Sequence, residues 1–516
     1  MNLIFTGPPG SGKTTLGKIC AAILGYSFVD TDQEIVQNTG QTINEIFIHK
    51  GEKEFRNLET KVLESIVKNN NQVVSLGGGT LLKETNRSII QNYGKIICLT
   101  ASNANLKSRL TKNTDSNRPL IDKDSNNNNS IDNLLQIRKK HYDSFATQIS
   151  TDHLSPQELA VKIVEEIMPW NHRINTNNKD YPIVLGNSNI TDLKTILQFY
   201  NIRTPNIIVT DTTVKPLWGN ELSKILSIPI VSIPTGEENK TLNTVNYLYD
   251  KFLENNLDRT SIVIALGGGV IGDIVGFAAA TYMRGIDWVN IPTTLLAMVD
   301  ASIGGKVGID LQQGKNMVGA FHPPKLVISD PIALETLPLN KYKSGLSEII
   351  KHGIIANEEL FNKLNPELLP LSRKFIQDAL EVKIDIIEQD PFERNVRAKL
   401  NLGHTVGHGI EAASNYEIGH GDAIAIGLYA ESLISEKVGL AKNPLSQTIK
   451  NKLLAFNLPI KCNNISPKMI RTLMESDKKK QYGKLLFTLP TNIGEVKYGI
   501  QVEEKIINTV IKQITD

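Results

Sequence analysis

Residues Gly7 to Thr15 read GPPGSGKTT directly after the apolar run Leu3-Ile4-Phe5, and this one stretch narrows the fold more than any other part of the chain. It is a complete G-x-x-x-x-G-K-T phosphate loop placed where a first strand ends, with helix-forming residues from Leu16 to Leu24 behind it. Gly10, Ser11 and Gly12 let main-chain N–H groups wrap around phosphate oxygens, and Lys13 sets an ammonium between the terminal phosphates. Thr14 and Thr15 open a helix whose N-terminus favours an anion, and the Thr14 hydroxyl is a ligand for Mg²⁺. A nucleoside triphosphate such as ATP is therefore expected at the head of the chain, on a parallel α/β sheet.

At 516 residues the chain exceeds one ordinary core, so further domains must follow. Lys plus Arg at 56 nearly balance Asp plus Glu at 54, which leaves no global field to recruit nucleic acid or an anionic membrane. Cys20, Cys98 and Cys462 form no C-x-x-C pair, which fits a reducing compartment and excludes a cysteine zinc site. Charged residues interrupt every apolar stretch before it could span a bilayer, and no basic segment precedes an apolar run at the amino terminus. These features predict a cytoplasmic enzyme acting on small molecules.

Apolar runs at Leu3–Thr6, Ser27–Val29, Val73–Leu76 and Ile96–Leu99 alternate with amphipathic stretches and read as buried parallel strands. The polar, low-complexity segment DKDSNNNNS from Asp122 to Ser130 reads as a loop. Ser155-Pro156-Gln157-Glu158 is a capping box with proline at the first helical position, and the helix it opens closes a first domain at 1–170. Residues 171–180, NHRINTNNKD, read as a linker. A second strand series at Ile183–Leu185, Asn206–Thr210, Ile230–Ile233 and Ile262–Leu266 predicts an α/β nucleotide-binding domain over 181–335. From 336 to 516 helical periodicity dominates, with a late strand pair at Lys484–Leu489 and Glu495–Gly499.

In the first domain, Phe28-Val29-Asp30-Thr31-Asp32 places two carboxylates at the carboxyl edge of the sheet beside the phosphate loop, one for Mg²⁺ and one for an acceptor hydroxyl. Val73-Val74-Ser75-Leu76-Gly77-Gly78-Gly79 occupies the usual Walker B place but has Ser75 where a motor ATPase or GTPase has aspartate, which argues against a mechanochemical switch. Arg56, Arg118 and Arg138 are guanidiniums able to fork onto a carboxylate or a transferring phosphoryl group.

Taken in order, the phosphate loop, FVDTD, EFRNLE, LGGG, NRPL and R-x-x-x-Y resemble shikimate kinase over nearly all of residues 1–168. The resemblance implies that Asp32, Arg56, Gly78, Gly79 and Arg138 hold shikimate and that Asp30 assists Mg²⁺. It makes Arg118 the lid arginine and lays Arg109 over adenine, with catalysis resting on Lys13, Asp32 and Arg118. The asparagine-rich insertion departs from the usual compact lid. Gluconate-type kinases share the loop and are the competing assignment.

In the second half, LGGGVIGD follows an apolar strand and opens a small-residue helix, Ile274 to Ala280, a pattern compatible with dinucleotide binding. His404, His408 and His420 cluster in one short region, and Glu348 lies upstream in GLSEIIKHG. Glu348, His404 and His420 could supply one carboxylate and two imidazoles to a catalytic zinc with an open position, and His408 stands one helical turn from His404. Lys306 and Lys315 lie in glycine-bracketed segments read as loops suited to an anion. With Lys351, Lys383, Arg397 and Lys478-Lys479 they point to a phosphorylated, carboxylated polyol.

The blocks PTGEENKT, LGGGVIGD, ATYMRG, IPTTLLAMVDASIGGKVGID, GKN, GLSEIIKHG, RAKLNLGHTVGHGIE, GHGDA and SDKK resemble 3-dehydroquinate synthase over about Ile174 to Asp516. The resemblance implies Zn²⁺, or Co²⁺, on Glu348, His404 and His420. It implies NAD⁺ on Asp211, Glu237, Lys240, Gly267, Gly268, Gly269, Asp273, Thr293 and Thr294, with Lys306 and Lys315 adjoining. Heptulosonate phosphate would meet Asp300, Lys306, Asn316, Lys351, Lys383, Arg397, Asn401, His408 and Lys478 or Lys479, the catalytic members being Asp300, Lys306, Lys351 and His408. Arg284 would reach the neighbouring subunit's site in the family's dimer. A glycerol-dehydrogenase-like oxidoreductase is the alternative for this half, and retention of either half as a non-catalytic binding domain is the other.

Overall fold

The computed structural model describes residues 2–516 apart from 25, 70, 92, 113–129, 167, 169, 177–178, 187–188, 192, 442–443 and 479–484, and it does not describe the side chains of 112, 130, 131, 134, 165, 166 and 475–478. Arg118, Lys479, the side chain of Lys478 and nearly all of the asparagine-rich segment lie outside the described residues. The chain divides into two compact units, Met1–Pro169 with Asp192–Ile202, and Trp170–Thr191 with Arg203–Asp516. The stretches 181–335 and 336–516 thus share one unit except for the short Asp192–Ile202 segment.

The first unit is built on a five-stranded sheet of β1 (Asn2–Thr6), β2 (Ser27–Asp30), β3 (Gln72–Ser75), β4 (Gly94–Thr100) and β5 (Gln148–Ser150), in the order β2-β3-β1-β4-β5. Every pairing is parallel. Alternation decides which face each side chain serves: Leu3 and Phe5 pack with Val73, Ile97 and Leu99 on one side, while Ile4 packs with Val74 and Cys98 on the other. Both faces are covered by apolar side chains, as an all-parallel sheet requires. The capping box forms as read: Glu158 Oε2 accepts from Ser155 N at 2.9 Å, and Glu158 N donates back to Ser155 Oγ at 3.3 Å.

The second unit carries a seven-stranded sheet in the order β6-β7-β14-β11-β10-β8-β9, from β6 (Trp170–Ile174), β7 (Tyr181–Leu185), β8 (Ile207–Asp211), β9 (Ile230–Ile233), β10 (Ile262–Gly267), β11 (Asp287–Pro292) and β14 (Leu326–Ser329). The first part of the stretch read as a linker, 171–174, is corrected here, because it belongs to β6, which pairs antiparallel with β7 along its full length. Its polar residues hid it: an edge strand needs apolar side chains on one face only. The segments holding Lys306 and Lys315 are also strands, β12 (Lys306–Leu311) and β13 (Gly314–Phe321), joined as an antiparallel hairpin. The late pair is displaced toward the carboxyl end, as β15 (Phe487–Asn492) and β16 (Glu495–Ile500).

Glycines set how closely three helices of this unit approach. A Cβ on Gly427, in the helix His420–Lys437, would stand 1.9 Å from the carbonyl oxygen of Gly403. A Cβ on Gly421 would stand 2.2 Å from the Cα of Ser344 in the helix Leu339–Ala356. The same helix therefore touches the main chain of both partners that bring Glu348 and His404 to the site. Gly427→Ala is expected to destabilise this unit by roughly 3 kcal/mol, read as an earlier unfolding transition in urea while the transition of the first unit stays where it was.

Candidate active sites

In the first unit the chain leaves β1 and turns through Gly7, Gly10 and Gly12, all at positive φ (133°, 81° and 92°), before the helix Lys13–Leu24 begins. Only glycine adopts such a run without strain, and the turn is closed by Ser11 N donating to Pro8 O at 3.2 Å. Lys13 Nζ donates to Gly7 O at 2.9 Å and Pro8 O at 3.0 Å, so the ammonium is held across the loop mouth. Ser11 is buried, and Thr15 is exposed. Thr14 Oγ1 donates to Asp30 Oδ2 at 2.8 Å, which brings the two sequence-derived magnesium ligands together. Asp30 also caps the next helix by accepting from Asp32 N at 3.1 Å.

A second cluster surrounds the glycine turn after β3. A Cβ on Gly79 would lie 2.9 Å from both terminal nitrogens of Arg56 and 3.2 Å from Arg138 Nη1, and one on Gly77 would lie 2.9 Å from Asp32 Oδ1. Asp32, Arg56, Gly78, Gly79 and Arg138 thus share one pocket edge. Tyr142 Oη donates to Gly78 O at 2.8 Å, which ties this turn to the helix carrying Arg138. Glu59 was not foreseen: fully buried, it accepts from Arg56 Nη1 at 2.8 Å and from Thr80 Oγ1. Its position three residues after Arg56 on one helix was the signal available. Arg109 spends its guanidinium on Thr151, at 2.7 Å to both Oγ1 and O.

In the second unit β10 ends in Gly267, and the helix Gly269–Thr281 starts two residues later. Thr293 N donates to Gly267 O at 2.9 Å, the Thr294 side chain lies against Gly268, and Ala301 lies against Gly269. Asp211 Oδ1, at the end of β8, accepts from Thr213 N at 2.8 Å and Val214 N at 2.9 Å. Lys240 is buried and donates to Asp273 Oδ2 and Asn316 Oδ1, each at 2.6 Å. Burial pushes the Asp273 carboxyl up to about 6 against the opposing pull of Lys240. Glu237 lies 3.9 Å from Lys240 and 3.8 Å from Lys315. Lys240 therefore joins two of the residues expected around a dinucleotide, Glu237 and Asp273.

Glu348, His404 and His420 offer ligand atoms within 4.8 Å of one another. His404 Nε2 faces Glu348 Oε1 at 3.6 Å and His420 Nε2 faces it at 3.4 Å. The opposite ring nitrogens are engaged: His404 Nδ1 lies 3.0 Å from Leu402 O, and His420 Nδ1 lies 3.3 Å from Glu411 Oε2. One carboxylate and two oriented imidazoles form the donor set that a divalent metal such as zinc accepts. Burial opposes charge on His420, yet its bonds to Glu348 and Glu411 push it up to about 10; burial and then Lys351 hold His404 well below the usual imidazole range. His408 stacks edge-on to His404 with ring centroids 5.2 Å apart.

Cations surround this centre. Lys351 pairs with Glu348, and Lys383 Nζ donates to Asp300 Oδ1 at 2.6 Å. Burial drives Lys383 down to about 8 in spite of Asp300. Burial alone would raise Asp300, but Lys383 and Lys351 outweigh it and hold the carboxyl below its ordinary range. Arg397 is buried and donates to Pro391 O at 2.6 Å, while Lys306 pairs with Glu393. Asn401 ends the short helix Val396–Asn401 ahead of His404. Arg284 is exposed on a turn with φ of 71°, apart from these contacts. Unforeseen members are Glu411, His352 at 3.9 Å from Asp300, and Glu393. Glu411 and His352 sit inside blocks whose neighbours drew the attention.

Residues 9–168 match the family model of shikimate kinase, residues 230–344 that of the 3-dehydroquinate synthase N-terminal domain, and residues 345–480 that of its C-terminal domain. Over 358 residues the chain is 38% identical to 3-dehydroquinate synthase from Crocosphaera subtropica, covering 66% of this chain and 98% of that protein. It is 44% identical to the Synechocystis 3-dehydroquinate synthase over 293 residues, or 54% of this chain and 80% of that protein. Among solved structures, 2-epi-5-epi-valiolone synthase from Streptomyces hygroscopicus, with NAD⁺ and Zn²⁺ bound, superposes with a TM-score of 0.60 at 27% identity, covering 65% of this chain and 96% of that one.

The buried Lys240 junction yields a direct test. Lys240→Met leaves Asp273 and Asn316 without their shared donor and is expected to cost roughly 3 kcal/mol in urea unfolding of this unit. Adding Asp273→Asn should recover part of that loss, because the stranded charge is removed.

Proposed function

The chain belongs to the 3-dehydroquinate synthase family and carries a shikimate kinase ahead of it, a bifunctional enzyme of the shikimate pathway, and on that premise we propose how its side chains divide the two reactions. The kinase half moves the terminal phosphoryl group of ATP to a shikimate hydroxyl, giving shikimate 3-phosphate. Lys13 and the loop amides take up the charge of the transferring group, Asp32 receives the hydroxyl proton, and Arg56 and Arg138 fork onto the acceptor's carboxylate beside Gly78 and Gly79. Thr14 and Asp30, joined at 2.8 Å, would hold Mg²⁺, which neutralises phosphate charge when bound. Glu59 acts through Arg56 and fixes its fork.

The synthase half converts 3-deoxy-D-arabino-heptulosonate 7-phosphate into 3-dehydroquinate and inorganic phosphate. The observation that carries the residue assignment is the convergence of Glu348, His404 and His420, with both outward ring nitrogens already bonded. Those three residues would hold zinc or cobalt, and Asp211, Glu237, Lys240, the glycine triplet, Asp273, Thr293, Thr294 and Lys315 would hold NAD⁺; together the groups supply polarisation and reversible oxidation of a carbinol with no net change in NAD⁺. Lys306, Asn316, Lys351, Lys383, Arg397 and Asn401 bind the anionic substrate, with Lys478 or Lys479 joining them. Asp300 holds Lys383 in place at 2.6 Å, and His408 moves protons on the cavity side of the His404 helix. Arg284 completes the site of a second copy in a homodimer, which is also proposed, as is a cytoplasmic location. Among the described residues no helix is long and apolar enough to cross a membrane.

Lys13→Ala is expected to lower phosphotransfer to shikimate roughly a thousandfold and leave phosphate release from the heptulosonate intact. His404→Ala should do the reverse. Incubation with NAD⁺ and heptulosonate phosphate should liberate phosphate without accumulating NADH; steady NADH formation would instead identify a dehydrogenase.

A further inference from the structure

The helix His404–Ala413 starts at Gly403, whose φ of 79° and missing side chain leave its first amides without a local cap. A carboxylate from another helix serves them. Glu431, fully buried on the helix His420–Lys437, accepts from Gly403 N through Oε2 at 2.6 Å and from Val406 N through Oε1 at 3.2 Å. The Gly403 N–H belongs to the same peptide group as the Leu402 C=O, and that carbonyl is the partner of His404 Nδ1 at 3.0 Å. A carbonyl only accepts, so Nδ1 carries the proton and, in the neutral ring, Nε2 presents its lone pair toward Glu348.

We propose that Glu431 is a positioning residue for the metal centre: it fixes the Leu402–Gly403 peptide plane, and through that plane the tautomer and aim of His404. The sequence of contacts runs from the Glu431 carboxylate through one rigid amide to the imidazole. Pulling electron density through Gly403 N–H polarises the Leu402 carbonyl, which strengthens its hold on Nδ1–H and makes Nε2 a better donor. The same helix carries His420 at its first residue, so a single element supplies one ligand directly and orients the other from eleven residues further along. Gly427, one turn before Glu431, lets the two helices approach closely enough for the carboxylate to reach.

The inference rests on Glu348, His404 and His420 as the metal ligands, and the experiment separates the two claims. Glu431→Gln keeps the shape but sets an NH₂ against one of the two amide donors. Zinc affinity of the purified full chain, measured by competition with a chromophoric chelator, is expected to fall about 10- to 100-fold. The cobalt-substituted protein should show altered visible absorption bands, saturating zinc should restore synthase turnover, and phosphotransfer to shikimate should remain at its original rate. Zinc affinity and cobalt spectrum both unchanged, with only a lower unfolding midpoint, would reduce Glu431 to a helix cap and overturn the proposal. If Glu431→Gln does not fold, Glu431→Asp carries the same measurement, since it keeps the charge and withdraws it from Gly403. Misfolding of both, with phosphotransfer intact, likewise assigns Glu431 to folding alone. His404→Ala is the control for the premise: undiminished zinc affinity there defeats the ligand assignment, whereas its loss beside an unaffected Glu431→Gln defeats only the positioning role.

Discussion

A fully buried carboxylate sets the terms for the synthase half. Glu348 has no exposed surface, and an ionised group in that position is sustained only by opposite charge and polar hydrogens brought in with it. Lys351, one helical turn away, supplies the first. Two imidazoles supply the rest, and because they come from two different helices, the packing of those helices is itself part of the electrostatics. Burial would raise Glu348, yet Lys351, His420 and His404 together hold it well below its ordinary range. Close glycine contacts are the means: without Gly427 against Gly403 and Gly421 against Ser344, the nitrogen donors could not converge on that carboxylate. A further shell of Asp300, Lys383 and His352 spreads the compensation outward.

The kinase half answers a similar demand with main chain. Its glycine loop depends on positive φ at Gly7, Gly10 and Gly12, and the course of its main chain is set by a strand on one side and a helix on the other. Side chains enter at the acceptor end, where Glu59 sits behind Arg56 much as Glu411 sits behind His420. In both halves a buried acid holds a side chain assigned to the site, and in both that acid lies inside a block, EFRNLE or RAKLNLGHTVGHGIE, whose other members drew the attention.

That difference explains what could and could not be read from the residues. The phosphate loop, the Asp30-Thr31-Asp32 edge and the Glu348, His404 and His420 set were readable because backbone conformation or ligand chemistry restricts those positions to few residue types. Glu59, Glu411 and Glu431 were not, since a lone acid on a helix is normally solvated and only tertiary contacts reveal it as buried. Strands followed the same rule. Ile262 to Leu266 is apolar on both faces and announced itself, whereas β6, with Asn171, His172 and Arg173, looked like a linker because half of an edge strand can be polar. The hairpin holding Lys306 and Lys315 was mistaken for loops for a related reason: Gly304, Gly305, Gly308, Gly314 and Gly319 are frequent enough to mask period-two alternation, yet Gly308 and Gly319 are needed because the paired main chains pass too close for a Cβ.

The two reactions are not successive, since the synthase releases 3-dehydroquinate and the kinase consumes shikimate. A fusion of this kind gains nothing from handing a product between sites, so neither site need face the other. What it does secure is equal production of both activities from one chain. Each half also holds its buried acids and their partners within its own unit: Glu59 lies 21 residues from Thr80, and Glu431 lies 28 from Gly403. Both of these contacts close within one unit, which is the condition under which two unrelated steps can be fused without either site being rebuilt.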